Sequence, residues 1–486
     1  MHISSLPSPH GIGTFGSDAY VFIDFLDKSG QGYWQVLPLN PTSYGDSPYQ
    51  SPSAFAGNPN FIDFDLLKQD GLLESKDYEN LDFGDDRVKV DYGRIFEHKL
   101  NIIKLAFENS NDKYKEEINE FKSINAYWLE DYALYMAVKY DNELKPWHKW
   151  NEDIKLRTEE ALKYYREKLS NEINFWIFVQ YVFYKQWGEL KKYANDRNIK
   201  IIGDVPIYVA EDSVDVWTKS ENFLLDEKKV PTAVAGVPPD DFSDTGQYWG
   251  NPLYDWEYLK EHNYDWWVER FKSNLELYDV LRLDHFRGFE SYWAIDFGAK
   301  TAVKGEWRKG PNQGFFDILE DRLGDVPMII EDLGKVTDEL IVFRESVGYP
   351  PMKILQGAFS SGETNEHLPH HYEKNWVVYT GTHDNPTIAE WIKTLDKDSL
   401  DYARKYLTLN EEEGYYWGIL RGAWSSVANL AVAQMQDFLE IGNEGRMNFP
   451  NTTKGNWQWR VKKELLSDEL AENIKDLTKT YDRLKD

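Results

Sequence analysis

Short apolar runs alternate along the chain with long amphipathic stretches, the rhythm of a βαβα architecture. Strands are predicted over 32–39, 199–209, 279–283, 327–331, 352–359, 376–380 and 433–439. A weaker run over 1–5 brings the count to about eight, the number that closes a parallel barrel. Helices fill the gaps. Ser17 stands as N-cap for a helix over 18–28, with Gly30 just past its end. Ile173, Trp176, Ile177, Gln180, Tyr181, Tyr184 and Trp187 recur at helical spacing ahead of the second strong strand. The expected fold class is α/β: a (β/α)8 TIM barrel with large helical insertions and a long lid loop at its C-terminal face.

The chain reads as one catalytic barrel over 1–486. From about 59 to 190 the pattern is helical without a convincing strand, which predicts a largely helical insertion subdomain. Residues 210–256 are rich in Pro, Gly, Asp and Trp. A connection that long is expected to be an active-site lid and not a spacer.

Charge narrows the partners. The 55 Lys and Arg against 83 Asp and Glu give a net charge of −28. Nucleic acid and anionic membrane would meet like charge everywhere, and no basic stripe relieves it. The N-terminus lacks the basic and apolar regions of a signal peptide, and no run approaches the roughly 18 apolar residues of a membrane span. Cysteine is absent, which removes disulfides, thiolate metal sites and a cysteine nucleophile, and fits a reducing cytoplasm.

Chemistry is expected where barrel strands end. Acids stand at four such ends: Asp204 after Gly203, Asp284 after Arg282-Leu283, Glu331 with Asp332, and Asp384 after His383. One strand-end Asp is most often a helix cap. Four converging carboxylates repel one another, and glycosidic-bond chemistry is a use that justifies them. One carboxylate attacks the anomeric carbon, a protonated second gives its proton to the departing oxygen, and a third favours the cationic transition state. Arg282 precedes Asp284 by two residues, so on a strand the two side chains share a face and the guanidinium keeps the carboxylate ionised. His383 adds a donor for a sugar hydroxyl.

Sugars stack their C–H faces on aromatic rings. Tyr44, Tyr49, Phe55, Phe242, Tyr248, Trp249 and Tyr254 lie in loop-like sequence and are expected to contact ligand. Three patterns are set aside. Gly11-Ile12-Gly13-Thr14-Phe15-Gly16 matches a dinucleotide fingerprint but follows two prolines and lacks the distal acid, so it reads as a tight turn before a helix. His367, His370 and His371 lack acid ligands at metal-binding spacing. Ser4, Ser5, Ser47 and Ser51 lack a nucleophile elbow.

The motifs together resemble the amylomaltase, or disproportionating enzyme, family of 4-α-glucanotransferases. They are Ser47-Pro48-Tyr49-Gln50-Ser51 with Ser53-Ala54-Phe55-Ala56-Gly57-Asn58-Pro59, Gly203-Asp204-Val205-Pro206-Ile207, Asp284-His285-Phe286-Arg287-Gly288, Glu331-Asp332-Leu333-Gly334 and Thr382-His383-Asp384-Asn385. Pro238-Pro239-Asp240, Gly246-Gln247 and Trp249-Gly250-Asn251-Pro252-Leu253-Tyr254 resemble the family's lid. Arg446-Met447-Asn448 and Gly455-Asn456-Trp457-Gln458-Trp459-Arg460 resemble its C-terminal block.

The resemblance implies retaining transfer between α-1,4-glucans without metal or organic cofactor, with maltooligosaccharides as donors and glucose or another glucan as acceptor. It implies Asp284 as nucleophile, Glu331 as general acid and then base, and Asp384 as transition-state stabiliser with His383. Arg282 and Asp204 would orient the nucleophile and bind the donor sugar. Ser47, Tyr49, Gln247 and Trp249 would line subsites, Asp240 and Asn251 would join them from the lid motifs, and Tyr44 resembles a secondary glucan contact. An α-amylase-like hydrolase would show the same acids, and an inactive glucan-binding protein is a further alternative. Family members begin with several residues, including an apolar strand, before His-Ile-Ser-Ser-Leu-Pro. Met1 falls inside that strand, so a shortened first strand or an upstream start is expected.

Overall fold

The computed structural model describes all residues except Tyr44, Asp112, Asp241, Phe242, Lys335 and Asp486. Its strands, in chain order, are β1 (Tyr33–Gln35), β2 (Lys200–Val205), β3 (Ala233–Val237), β4 (Gln247–Pro252), β5 (Val280–Leu283), β6 (Ser291–Asp296), β7 (Glu306–Lys309), β8 (Met328–Ile330), β9 (Met352–Ile354), β10 (Val377–Tyr379) and β11 (Leu430–Val432). Two parallel sheets, ordered β1-β2-β5-β8 and β9-β10-β11, are joined by a parallel bridge between Ile330 and Pro351. The wall is therefore continuous from β1 to β11. β2, β5, β8, β9 and β10 are largely buried, as expected for strands covered on both faces.

Residues 1–5 do not form the expected first strand. Ile3–Ser5 is a 3-10 turn whose carbonyls are taken by other segments: Gly13 N–H donates to Ser4 O and Val461 N–H to Ser5 O. Met1 meets the wall through two single hydrogen bonds instead, its carbonyl accepting the Trp34 indole N–H at 2.7 Å and its amino group donating to Gln35 O at 3.4 Å. Between the edges of β1 and β11 lies a cavity of about 1150 Å³. The last strand also differs from expectation: β11 comes earlier, at 430–432, and Met435–Phe438 is helical. A short apolar run cannot by itself separate strand from buried helix. There the buried Asp437 carboxylate accepts Thr380 Oγ1 and Ile388 N–H, tying the short helix to β10. The first helix, Ser17–Lys28, is capped by Gly16, one residue before the expected Ser17.

Between 59 and 190 the chain forms helices, the longest being Ser170–Asn195. That helix positions part of the mouth. Gln180 accepts from Gly57 N–H at 2.7 Å and donates to Gly57 O at 3.0 Å, and Gln186 does the same with Asp63 at 2.7 and 3.1 Å. Two buried amides thus satisfy the backbone of the segment that follows Ser47 and Tyr49. Residues 210–256 are not one loop. β3 and β4 pair antiparallel and continue through β6 to β7, in the order β4-β3-β6-β7. Gly236 is required at this pairing, since a Cβ there would meet Gln247 O at 2.2 Å.

Candidate active site

A cleft of about 390 Å³ opens beyond the ends of β2, β5 and β8. Asp284, Glu331, Asp384, His383, Ser47, Tyr49, Gln247, Trp249 and Asn251 line it. Asp204 and Arg282 lie beneath, both almost wholly buried.

β2 and β5 pair so that Asp204 faces Arg282. The guanidinium Nη1 donates to both Asp204 oxygens, at 2.8 and 2.7 Å, and to Asp284 Oδ1 at 3.1 Å. Nη2 approaches Glu331 Oε2 at 3.5 Å. Tyr49 O–H donates to Asp204 Oδ2 at 2.8 Å. One cation thus orients three carboxylates. Burial disfavours its charge, but Asp204, Glu331 and Asp284 around it more than compensate and hold Arg282 protonated.

The backbone after Asp284 is also shaped for this site. His285 has φ 48°, a left-handed conformation uncommon outside glycine. The turn aims the His285 N–H at Glu331 Oε2, 2.6 Å away. The imidazole packs edge-on to Trp249, with ring centres 4.9 Å apart, and burial lowers its pKa to about 4, so it is neutral. Burial, with Asp284 and Asp384 adding to it, pushes Glu331 up to about 8 against the pull of Arg282 and the His285 N–H. Glu331 is therefore protonated at neutral pH.

Asp384 is half-exposed and is held from the C-terminal block. Asn448 Nδ2 donates to its Oδ1 at 2.6 Å, and Arg446 Nη2 to its carbonyl at 2.7 Å. His383 Nε2 is 3.5 Å from the same Oδ1. Tyr49 stacks on His383 at 5.1 Å, and Trp457 packs against both rings. Asn448, Arg446 and Trp457 belong to motifs visible in the sequence, yet no strand end marks them. Their role follows only from where the 446–457 segment folds back.

Gln247, Trp249 and Asn251 alternate on β4 and so share its cleft-facing side. Gln247 Oε1 accepts the Trp249 indole N–H at 3.1 Å. Asn251 donates to Val209 O and accepts from Gln50, linking the strand to the 47–51 segment. Ser47 Oγ accepts Tyr49 N–H at 3.2 Å and fixes that turn. Asp240 sits at the hairpin tip, paired with Ser243, and does not line the cleft. Tyr44 and Phe242 lie outside the described residues. Two loop aromatics expected at ligand are core instead: Phe55 is 4% and Tyr254 1% exposed, within aromatic clusters. Tyr248 braces the sheet, its oxygen accepting Gly298 N–H.

An α/β barrel with paired carboxylates and an aromatic-lined cleft at its strand ends defines an enzyme of glycosidic-bond chemistry. Comparison with known proteins narrows this. Residues 1–466 match the family described as 4-alpha-glucanotransferase, and the chain belongs to that family. A 4-alpha-glucanotransferase of Clostridium butyricum is 53% identical over 485 residues, covering 99% of this chain and all of the relative. One from Thermus thermophilus is 44% identical, over 100% of this chain and 98% of the relative. Among solved structures, an amylomaltase from Streptococcus agalactiae in complex with acarbose superposes with TM-score 0.97 at 44% identity, covering 99% of this chain and 98% of that one.

Proposed function

We propose that Asp284, Glu331 and Asp384 carry out the transfer of α-1,4-glucan segments by double displacement. Asp284 attacks the anomeric carbon of the donor while Glu331 gives its proton to the departing glycosidic oxygen. The old C–O bond breaks, the new ester to Asp284 forms, and the shortened glucan leaves with that proton. Glu331, now a carboxylate, takes the proton of an incoming 4-hydroxyl, whose oxygen attacks the same carbon and frees Asp284. Asp384 and His383 hold the sugar whose ring gains positive charge. The observation that carries this reading is Arg282, which contacts Asp284 and Glu331 at once and leaves one as an oriented nucleophile beside a buried acid.

Maltooligosaccharides are the donors in this reading, with glucose or another α-1,4-glucan as acceptor. Ser47, Tyr49, Gln247, Trp249 and Asn251 supply subsites, and the acarbose-bound relative supports an oligosaccharide in this cleft. Transfer in place of hydrolysis requires that a sugar hydroxyl reach the intermediate ahead of water, and the β3–β4 hairpin serves as the lid that favours it. No helix among the described residues is long and apolar enough to cross a membrane, and the charge and cysteine-free composition support a cytoplasmic setting. Incubation with maltotriose tests the reading. Longer maltooligosaccharides plus glucose, without a net rise in reducing ends, support transfer. Shorter sugars alone with rising reducing ends would make the protein a hydrolase.

A further inference from the structure

We infer that Tyr208 and His285 hold the acceptor sugar beside the reacting carbon, and so decide how often water takes its place. The inference rests on the transfer reading of the cleft and gives a role to two side chains which that reading leaves idle. Tyr208 comes three residues after β2 and His285 two after β5, and both line the cleft. Two groups of rings face it. Tyr49, His383 and Trp457 pack together beside Asp384, and so belong with the sugar whose ring gains charge. Tyr208, Trp249 and His285 form the other group, the Trp249 ring lying 6.2 Å from Tyr208 and 4.9 Å from His285. The His285 N–H meets Glu331, the acid for the departing oxygen. This group therefore belongs with the sugar that leaves and with the acceptor that replaces it.

Both side chains carry unused polar atoms. The Tyr208 hydroxyl and the His285 ring nitrogens have no hydrogen-bond partner among the described residues, and none of these atoms is sealed from solvent. They are fixed side by side. A Cβ at Gly288 would stand 3.2 Å from His285 Cδ2 and 3.5 Å from Tyr208 Oη. Tyr254 stacks on the Tyr208 ring at 6.0 Å and is itself anchored by its bond to Ile207 O. A neutral imidazole and a phenol each donate and accept, as a sugar hydroxyl does. Rings already immobile lose little entropy when they take a ligand. An acceptor so held presents its 4-hydroxyl to the intermediate at an effective concentration far above its concentration in solution.

The test uses α-maltosyl fluoride as donor and glucose as acceptor, with maltotriose as the transfer product and maltose as the product of water. Tyr208→Phe removes only the hydroxyl. Its KM for glucose is expected to rise about two- to tenfold, the share of one neutral hydrogen bond, and its ratio of maltose to maltotriose at fixed glucose to rise with it. His285→Asn, a residue that tolerates the same left-handed turn, should shift that ratio in the same direction. With glucose lacking in turn its 1-, 2-, 3- or 6-hydroxyl, one of these sugars should show equal KM in wild type and Tyr208→Phe, because the partner of the phenol is then already gone. A product ratio that stays at the wild-type value in Tyr208→Phe would overturn the inference, as would a KM difference that persists with every one of the deoxy sugars. A wild-type protein that makes no maltotriose would instead fault the transfer reading. Glucose inhibition of maltotriose cleavage then still decides the site: weaker inhibition of Tyr208→Phe than of wild type supports it, and equal inhibition overturns it.

Discussion

Asp204 and Arg282 are register partners on neighbouring parallel strands, and one guanidinium nitrogen lies within 2.8 Å of both Asp204 oxygens. Neither side chain meets solvent appreciably. Replacing the arginine would strand a buried carboxylate, and breaking such a pair costs about 3–5 kcal/mol. Arg282→Met is therefore expected to lower the midpoint of thermal unfolding and to abolish transfer. Arg282→Lys should keep more stability than activity, because an ammonium cannot fork to Asp204 while reaching Asp284 and Glu331. A lysine variant with near wild-type kcat would contradict this role.

Glu331 sets the alkaline limb of activity. With its pKa pushed up to about 8, the fraction able to donate a proton falls as pH rises through that value. Activity should decline above about pH 8 with one titrating group. Asp284→Asn removes one of the charges raising it, so Glu331, followed by titration of the variant, should move down toward the ordinary 4.5. The linkage has a definite sign. The folded state holds this proton where the unfolded chain releases it, so between about pH 4.5 and 8 the group's contribution to stability falls as pH rises. Glu331→Gln should flatten that slope in unfolding measured across the window.

Asn448 is a positioning residue for Asp384. Asn448→Ala removes the 2.6 Å bond to its carboxylate while leaving the Arg446 contact to its backbone. Hydrogen bonds to charged groups are worth about 1.5–3 kcal/mol, so kcat is expected to fall about ten- to a hundredfold with the fold intact. Asn448→Asp, which turns the donor into a like charge, should be worse. Equal kcat for all three proteins would remove Asn448 from the account.

Gln180 and Gln186 support the mouth from outside the barrel. Gln180→Leu leaves the Gly57 N–H and carbonyl unpaired in a buried place, costing about 1–3 kcal/mol. The melting point should drop, and KM for maltotriose should rise as the 47–57 segment loosens. Thermal unfolding and steady-state kinetics on one preparation measure both.

Much of this was legible in the sequence because a parallel barrel puts chemistry at strand ends. Asp204, Asp284 and Glu331 follow buried apolar runs, and those runs became β2, β5 and β8. What failed to show was set by distant partners. Residues 1–5 read as a strand by composition, but their carbonyls are claimed by Gly13 and Val461. The 210–256 segment read as a loop because its strands hold Gly, Pro and Asn, and their pairing with β6 is non-local. Phe55 and Tyr254 sit in polar sequence, yet Phe55 packs on Trp128, far along the chain, and Tyr254 on Trp267 in the helix Asp265–Leu277. Asn448 needed the fold to bring it to Asp384.

The central claim, that Asp284 is the nucleophile, is tested by covalent trapping. Glu331→Gln, incubated with α-maltosyl fluoride, meets a donor whose leaving group needs no acid but lacks the base for the second step. Mass spectrometry of its peptides should find a maltosyl ester on Asp284. Fluoride release with the sugar carried by another residue, or with no adduct on the protein, would contradict the account.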